Sequence, residues 1–324
     1  MIILNQISPM KTVKNILALL VTAFILTNCE KEVTVDLPDP VEKIVVEGSI
    51  ESGSPPFVTI NKNFPYFGTF TPADFAGNYV RNAIVVVSDG STEAQLDEIC
   101  WSELTDEQKE LIAQFAGGAL PDSIPEGFDF CVYTFFSLNP PIVGQPGKTY
   151  TLQITTQEGK ELSAVTTIPQ PVPLDSIWYE QNTDPDYPNL YRIYARITDP
   201  DTLGNYYRYY TQRQTEPMYP GFRSVYDDLL INGLNVYFPL DRGIFKGADI
   251  DFQTYGYFEA NDTVTVKWST IDHDTYNFWR TLEFSTNSGS PLGGSTQINH
   301  NINGGIGVWA GYCVSTLQTT VIKP

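Results

Sequence analysis

Metal-ligating and cationic residues are scarce in this sequence. Its 324 residues hold two His and four Cys, too little material for a zinc ribbon or a multi-His centre. No metal and no cofactor is therefore expected. Lys and Arg number 19 against 38 Asp and Glu, a net charge of −19. Binding to a phosphate backbone needs clustered cations, so nucleic acid is excluded as a partner. Long apolar runs are missing too: Ile16–Leu26 falls short of the ~20 residues that a membrane helix needs. No Gly-x-Ser-x-Gly elbow surrounds Ser288, Ser290 or Ser295, and Asn303–Gly307 lacks the Lys-Ser/Thr ending of a phosphate loop. An enzyme is not expected from such a chain.

What is present points to a β protein. Hydrophobic residues make up 42% and aromatics 13%, enough for a sizeable core. Gly and Pro, 24 and 23 residues, punctuate short runs rich in Val, Ile, Thr and Tyr, the pattern of strands and turns.

The N-terminus reads as an address. Lys11 and Lys14 precede the apolar run, which stops at Leu26-Thr27-Asn28-Cys29. That resembles a bacterial lipobox, with residues 1–28 as signal peptide and Cys29 lipidated, whether translation starts at Met1 or at Met10. Acyl chains contribute ~0.8 kcal/mol per buried methylene, so a multiply acylated Cys29 would hold the chain to a membrane. Cleavage removes two Lys and no acids, which takes the net charge from −19 to −21. Such a surface repels anionic lipid, leaving the lipid as the anchor. Glu30-Lys31-Glu32 resembles a surface-export signal, and residues 29–40, with Pro38 and Pro40, read as an extended tether.

Two β-domains are expected after it. Residues 41–168 carry short alternating strands such as Ile44–Ile50, Ala83–Ser88, Tyr150–Ile154 and Leu162–Ile168, the pattern of an immunoglobulin-like sandwich. A helical excursion interrupts them: Thr105-Asp106-Glu107-Gln108 is a capping box, and Leu111, Ile112, Phe115 and Ala116 share a helical face. Cys100 and Cys131 flank this excursion. In an exported chain they are expected to form a disulfide, the alternative being two buried thiols. Cys313 reads as a small buried apolar residue. Residues 169–174, with three Pro, form a stiff connector. Residues 175–324 then form a C-terminal β-domain. One helix docks on it, capped by Ser269 or Thr270, with Ile271, Thr275, Phe278, Trp279 and Leu282 on its inner face.

Several blocks carry a resemblance. They are the lipobox with Val33–Pro38, Ile44–Gly48, Pro146–Leu152, Ile197–Pro200, Asn205–Arg208 and, most specifically, Phe278–Asn287 with Asn301–Gly307. Together they resemble a family of Bacteroidota outer-membrane lipoproteins known as domain of unknown function 4249. The resemblance implies a surface-exposed, non-catalytic accessory to a TonB-dependent outer-membrane barrel in nutrient or ligand capture. No catalytic residues come with it.

The candidate contact surface is aromatic. Tyr206, Tyr207, Tyr209 and Tyr210 occupy one strand, with Tyr207 and Tyr209 on one face and Tyr206, Arg208 and Tyr210 on the other. Tyr219 and Phe222 lie in an apolar loop nearby. Such rings suit a small-molecule, glycan or peptide ligand, or else fill the core. Asp272-His273-Asp274 reads as charges at a helix N-terminus, and Asp199–Asn205 as a turn rather than a calcium loop. A structural or adhesive surface module is the alternative function.

Overall fold

The computed structural model describes residues 42–64, 77–109, 130–245, 248–287 and 297–321. Cys29, the tether and the expected helical face Leu111–Ala116 lie outside them. The first half of the chain forms β1 (Ile44–Glu51), β2 (Phe57–Lys62), β3 (Ile84–Ser88), β4 (Glu93–Gln95), β5 (Asp97–Cys100), β6 (Cys131–Thr134), β7 (Thr149–Thr155) and β8 (Glu161–Thr167). The second half forms β9 (Ser176–Gln181), β10 (Leu190–Thr198), β11 (Tyr206–Arg213), β12 (Tyr219–Asp227), β13 (Asn235–Leu240), β14 (Phe258–Glu259), β15 (Thr263–Ile271), α1 (His273–Asn287) and β16 (Ile306–Thr320). The chain is mainly β, with one long helix among the described residues.

Eight strands make the largest sheet, in the order β12-β11-β15-β16-β1-β2-β6-β5. One four-stranded sheet, β4-β3-β7-β8, packs on its β1 side. Another, built from β9, β10, β13 and β14, packs on its β15 side. β7 and β8 pair across the turn at Glu158-Gly159. The core of the first half includes Val46, Ile50, Val85, Leu152 and Leu162. That of the second half includes Tyr191, Ile193, Tyr207, Val266 and Trp268.

The connector separates the two cores but not the sheet. β16 pairs antiparallel with β15 and parallel with β1, so the last long strand joins the first. It serves three apolar clusters in turn. Trp309 and Cys313 enter the first core. Val308, Ala310 and Tyr312 face α1. Leu317 lies against the second core. Residues 42–324 accordingly form one compact unit. The connector is also bound rather than free: the Val172 N–H donates to Thr270 Oγ1 at 3.0 Å, and Trp268 Nε1 donates to the Val172 carbonyl at 3.0 Å. Close approach of β1 to β16 requires Gly48, because a Cβ there would lie 2.7 Å from the buried Trp309 ring.

Two local expectations meet their geometry. The capping box forms, with the Gln108 N–H donating to Thr105 Oγ1 and the Thr105 N–H donating to Gln108 Oε1. Cys100 and Cys131 sit opposite each other on β5 and β6 and are disulfide-bonded, with S–S 2.02 Å. One local expectation needs correction. Thr270 and Ile271 remain in β15, and α1 is capped by Asp272, whose Oδ1 accepts the Thr275 N–H at 2.8 Å. Asp272 Oδ2 accepts from Thr166 Oγ1 and the Thr167 N–H, so the cap also ties α1 to β8.

Candidate functional site

β11 divides its aromatic residues between two faces. Tyr207 and Tyr209 are fully buried in the second core, where Tyr207 stacks on Trp268 at 5.1 Å and Tyr209 on Tyr226 at 6.0 Å. Both are corrected from contact-surface candidates to core residues. The Tyr207 hydroxyl donates to buried Asp199, whose carboxyl burial pushes up. Tyr206 and Tyr210 lie on the opposite face with α1. Tyr206 stacks on Tyr276 at 4.8 Å. Tyr219 makes an edge contact with Phe245, and Phe222 makes edge contacts with Phe252 and Tyr255.

Of the six tyrosine and phenylalanine candidates, Phe222 alone lines a cleft between β12 and α1. The cleft measures about 750 Å³. Phe222, Arg223 and Val225 come from β12, and Tyr276, Arg280, Thr281, Glu283 and Phe284 from α1. Its volume falls in the range of about 300–1,000 Å³ typical of small-ligand sites. β12 is an edge strand and bulges here: Val225 pairs with Arg208 and Pro220 with Tyr210, so residues 221–224 stand off the ladder. Their donors find other partners. The Phe222 N–H donates to the Tyr255 hydroxyl at 2.6 Å, and the Ser224 N–H to Glu283 Oε2 at 3.0 Å.

Glu283 anchors the floor. The Ser224 hydroxyl also donates to its carboxylate and accepts from Arg208 Nε at 3.3 Å. Burial pushes the Glu283 carboxyl up, while the Ser224 donors and the charges of Arg208 and Arg223 pull it back. Arg208 is itself buried, 3.4 Å above the Trp279 ring, with Nη1 donating to the Tyr312 hydroxyl at 3.2 Å. Stacking and hydrogen bonds hold this planar cation where no carboxylate among the described residues touches it.

The rim is cationic. Arg223 and Arg280 are exposed there, and neither pairs with a carboxylate among the described residues. Lys62, Arg81, Lys148, Arg213, Arg242 and Lys267 pair with one, while Lys43, Lys109, Arg196 and Arg208 likewise have no carboxylate partner among the described residues. In a chain of net charge −19, this cleft is lined by two guanidiniums against one carboxylate, Glu283. Phe222, Tyr276 and Phe284 add aromatic lining beside them. A smaller hollow of about 300 Å³ beside it, lined by Glu47, Glu51, Tyr210 and Trp279, has its rings covered by Arg208 and Lys267.

A scan of family models matches residues 30–318 to Domain of unknown function (DUF4249). The chain belongs to this family. The DUF4249 match starts one residue after Cys29 and ends inside β16, so it takes in both cores. No curated protein matches the chain. Phe278–Asn287, the most specific block of the resemblance, is most of α1 and supplies four cleft residues.

Sequence reasoning passed over Arg223, Arg280 and Glu283. For Arg223 the available signal was a guanidinium with no acid within three positions; Arg280, with Glu283 three residues on, offered none. The pairing state of Arg223 depends on the bulge in β12, which no local pattern encodes. The one candidate metal cluster among the described residues joins Glu98 with Cys100 and Cys131, whose sulfurs are already bonded to each other. His273 is exposed beside Asp274 at the start of α1.

Proposed function

We propose that this protein is a lipid-anchored, surface-exposed outer-membrane module that captures an anionic ligand in the β12–α1 cleft as accessory to a TonB-dependent barrel. The observation that carries the reading is the cleft itself: two exposed guanidiniums, without carboxylate partners among the described residues, beside aromatic lining in a strongly acidic chain. The lipobox ending at Cys29, and a family match that begins just after it, support the anchor. Membership in the resembling lipoprotein family supports the barrel as partner. The proposed role is binding: Glu283 accepts from Ser224, and Arg208 is held by Ser224, Tyr312 and the Trp279 ring.

The test has two arms. Native purification through a C-terminal tag in mild detergent, with mass spectrometry, is expected to recover a TonB-dependent barrel in stoichiometric amount. The Arg223→Ala/Arg280→Ala variant is expected to abolish barrel-dependent uptake of the ligand while the complex still forms. A lone lipoprotein, or uptake unchanged in the variant, would overturn the reading.

One observation favours an adhesive module instead. On the outer face of β9, β10 and β13, Trp178 stacks on Tyr194 at 5.8 Å and lies 6.1 Å from exposed Tyr237, with Arg196 over the indole. Binding of the chain to host matrix or to other cells, lost on Trp178→Ala and without a barrel partner, would support that use.

A further inference from the structure

Four leucines stand in water at one end of the large sheet. Leu203, Leu229, Leu230 and Leu234 are 65%, 72%, 88% and 51% exposed. They come from two loops, residues 199–205 between β10 and β11 and residues 228–234 between β12 and β13. Their exposure is not looseness. Asp228, buried, accepts from the Gly204 N–H, the Asn205 N–H and Asn205 Nδ2 at 2.9–3.0 Å. Asp199, also buried, accepts from Tyr207, and its N–H donates to the Leu234 carbonyl at 3.0 Å. Burying carboxylates is costly unless they are fully hydrogen-bonded, and here two are committed to holding these loops together. A braced loop pair that displays leucines marks a contact surface.

The register shows which way the loops point. Tyr206, Ile271, Tyr312 and Glu51 lie in one row across β11, β15, β16 and β1. Going from Tyr312 toward Ile306 leads along β1 to Val45, where the chain arrives from the tether. The same direction leads off β11 into residues 199–205 and off β12 into residues 228–234. Leucine loops and tether junction therefore leave the sheet in the same direction, the junction six register positions, about 20 Å, further along. β12 lies four strands from β1, about 19 Å at ~4.8 Å per strand. Thirteen residues from Cys29 to Val41 reach at most about 43–47 Å. An anchored Cys29 and the loops can thus meet the same surface.

We infer that these loops form a second membrane contact, inserting their leucines into the bilayer that holds the Cys29 lipid and so fixing the body's orientation. The inference rests on the lipid anchor of the proposed function. Composition favours lipid over protein: protein contact sites are enriched in aromatics and Arg, whereas neither loop has either, nor any Lys. The two loops carry no cation, so the contact gains nothing from anionic lipid, and exposed Asp201 would stay at headgroup level.

The test uses the mature lipidated chain in phosphatidylcholine vesicles, with an environment-sensitive fluorophore on Thr202→Cys. Cys313 is buried and Cys100 and Cys131 are bonded, so the label is specific. Blue-shifted emission and quenching by lipid-borne nitroxides are expected. Both should be lost in Leu229→Asp/Leu230→Asp, with insertion down about tenfold or more and flotation and melting unchanged. Added phosphatidylglycerol should not strengthen the signal. Flotation with a water-exposed probe would overturn this inference alone, as would shielding that appears only when a barrel is added. Failure to float would remove the anchor and this inference with it.

Discussion

Glu283 sits where burial and positive charge oppose each other, and burial prevails: its carboxyl titrates above the ordinary value of 4.5. Protonation removes a negative charge from beneath Arg223 and Arg280. Affinity for an anion that stays ionised is therefore expected to rise as pH falls through this titration and to weaken as pH rises. Glu283→Gln should flatten the dependence, measured by calorimetry across pH. The linkage to stability has the same sign. A raised folded-state value means that the native state holds the proton more tightly, so the contribution is full below 4.5 and is lost as pH rises through the folded value. A second residue-scale prediction concerns Tyr207. Its hydroxyl serves the buried Asp199 carboxylate, so Tyr207→Phe should destabilise by about 1.5–3 kcal/mol in urea unfolding. Alternation along β11 showed that Tyr207 and Tyr209 share a face. Which face meets the core was not legible, because aromatic rings suit a core and a binding surface equally well.

Among the elements, β1 shows how tightly the sheet is packed. Gly48→Ala would press a methyl group into the Trp309 ring and is expected to cost about 1–3 kcal/mol, seen as a lowered melting temperature. The disulfide between β5 and β6 closes a loop with a sequence separation of 31 residues. Replacing both cysteines by Ser should lower stability by about 3–4 kcal/mol on the loop-entropy account, measured by denaturant unfolding. Hairpin β7–β8, the capping box and the disulfide were legible because each is set by residues close in sequence or by the only cysteines in reach. The parallel pairing of β1 with β16 was not. It joins residues some 260 positions apart, and a register of that kind has no local signature. The Asp272 cap was missed for a related reason: β15 runs further than its pattern suggested, which moves the start of α1.

At the scale of the molecule, the Pro-rich connector and the change of pattern after it were legible as a division of the chain, and each half has a core of its own. Their union was not, since it rests on one strand shared by three apolar clusters. The cleft was hidden in the same way, because it belongs to two elements brought together by the fold. The joining of first strand to last also has a mechanical consequence. β1 is held on one side by β16, in seven parallel register pairs, and on the other by β2, in six antiparallel pairs. A drag on the body, resisted at an N-terminal anchor, would load β1 along its length. Its bonds to both neighbours would then share the force in shear instead of opening one after another. The strand that would take such a load is thus clamped in the interior of the sheet, where tension is least able to peel it away.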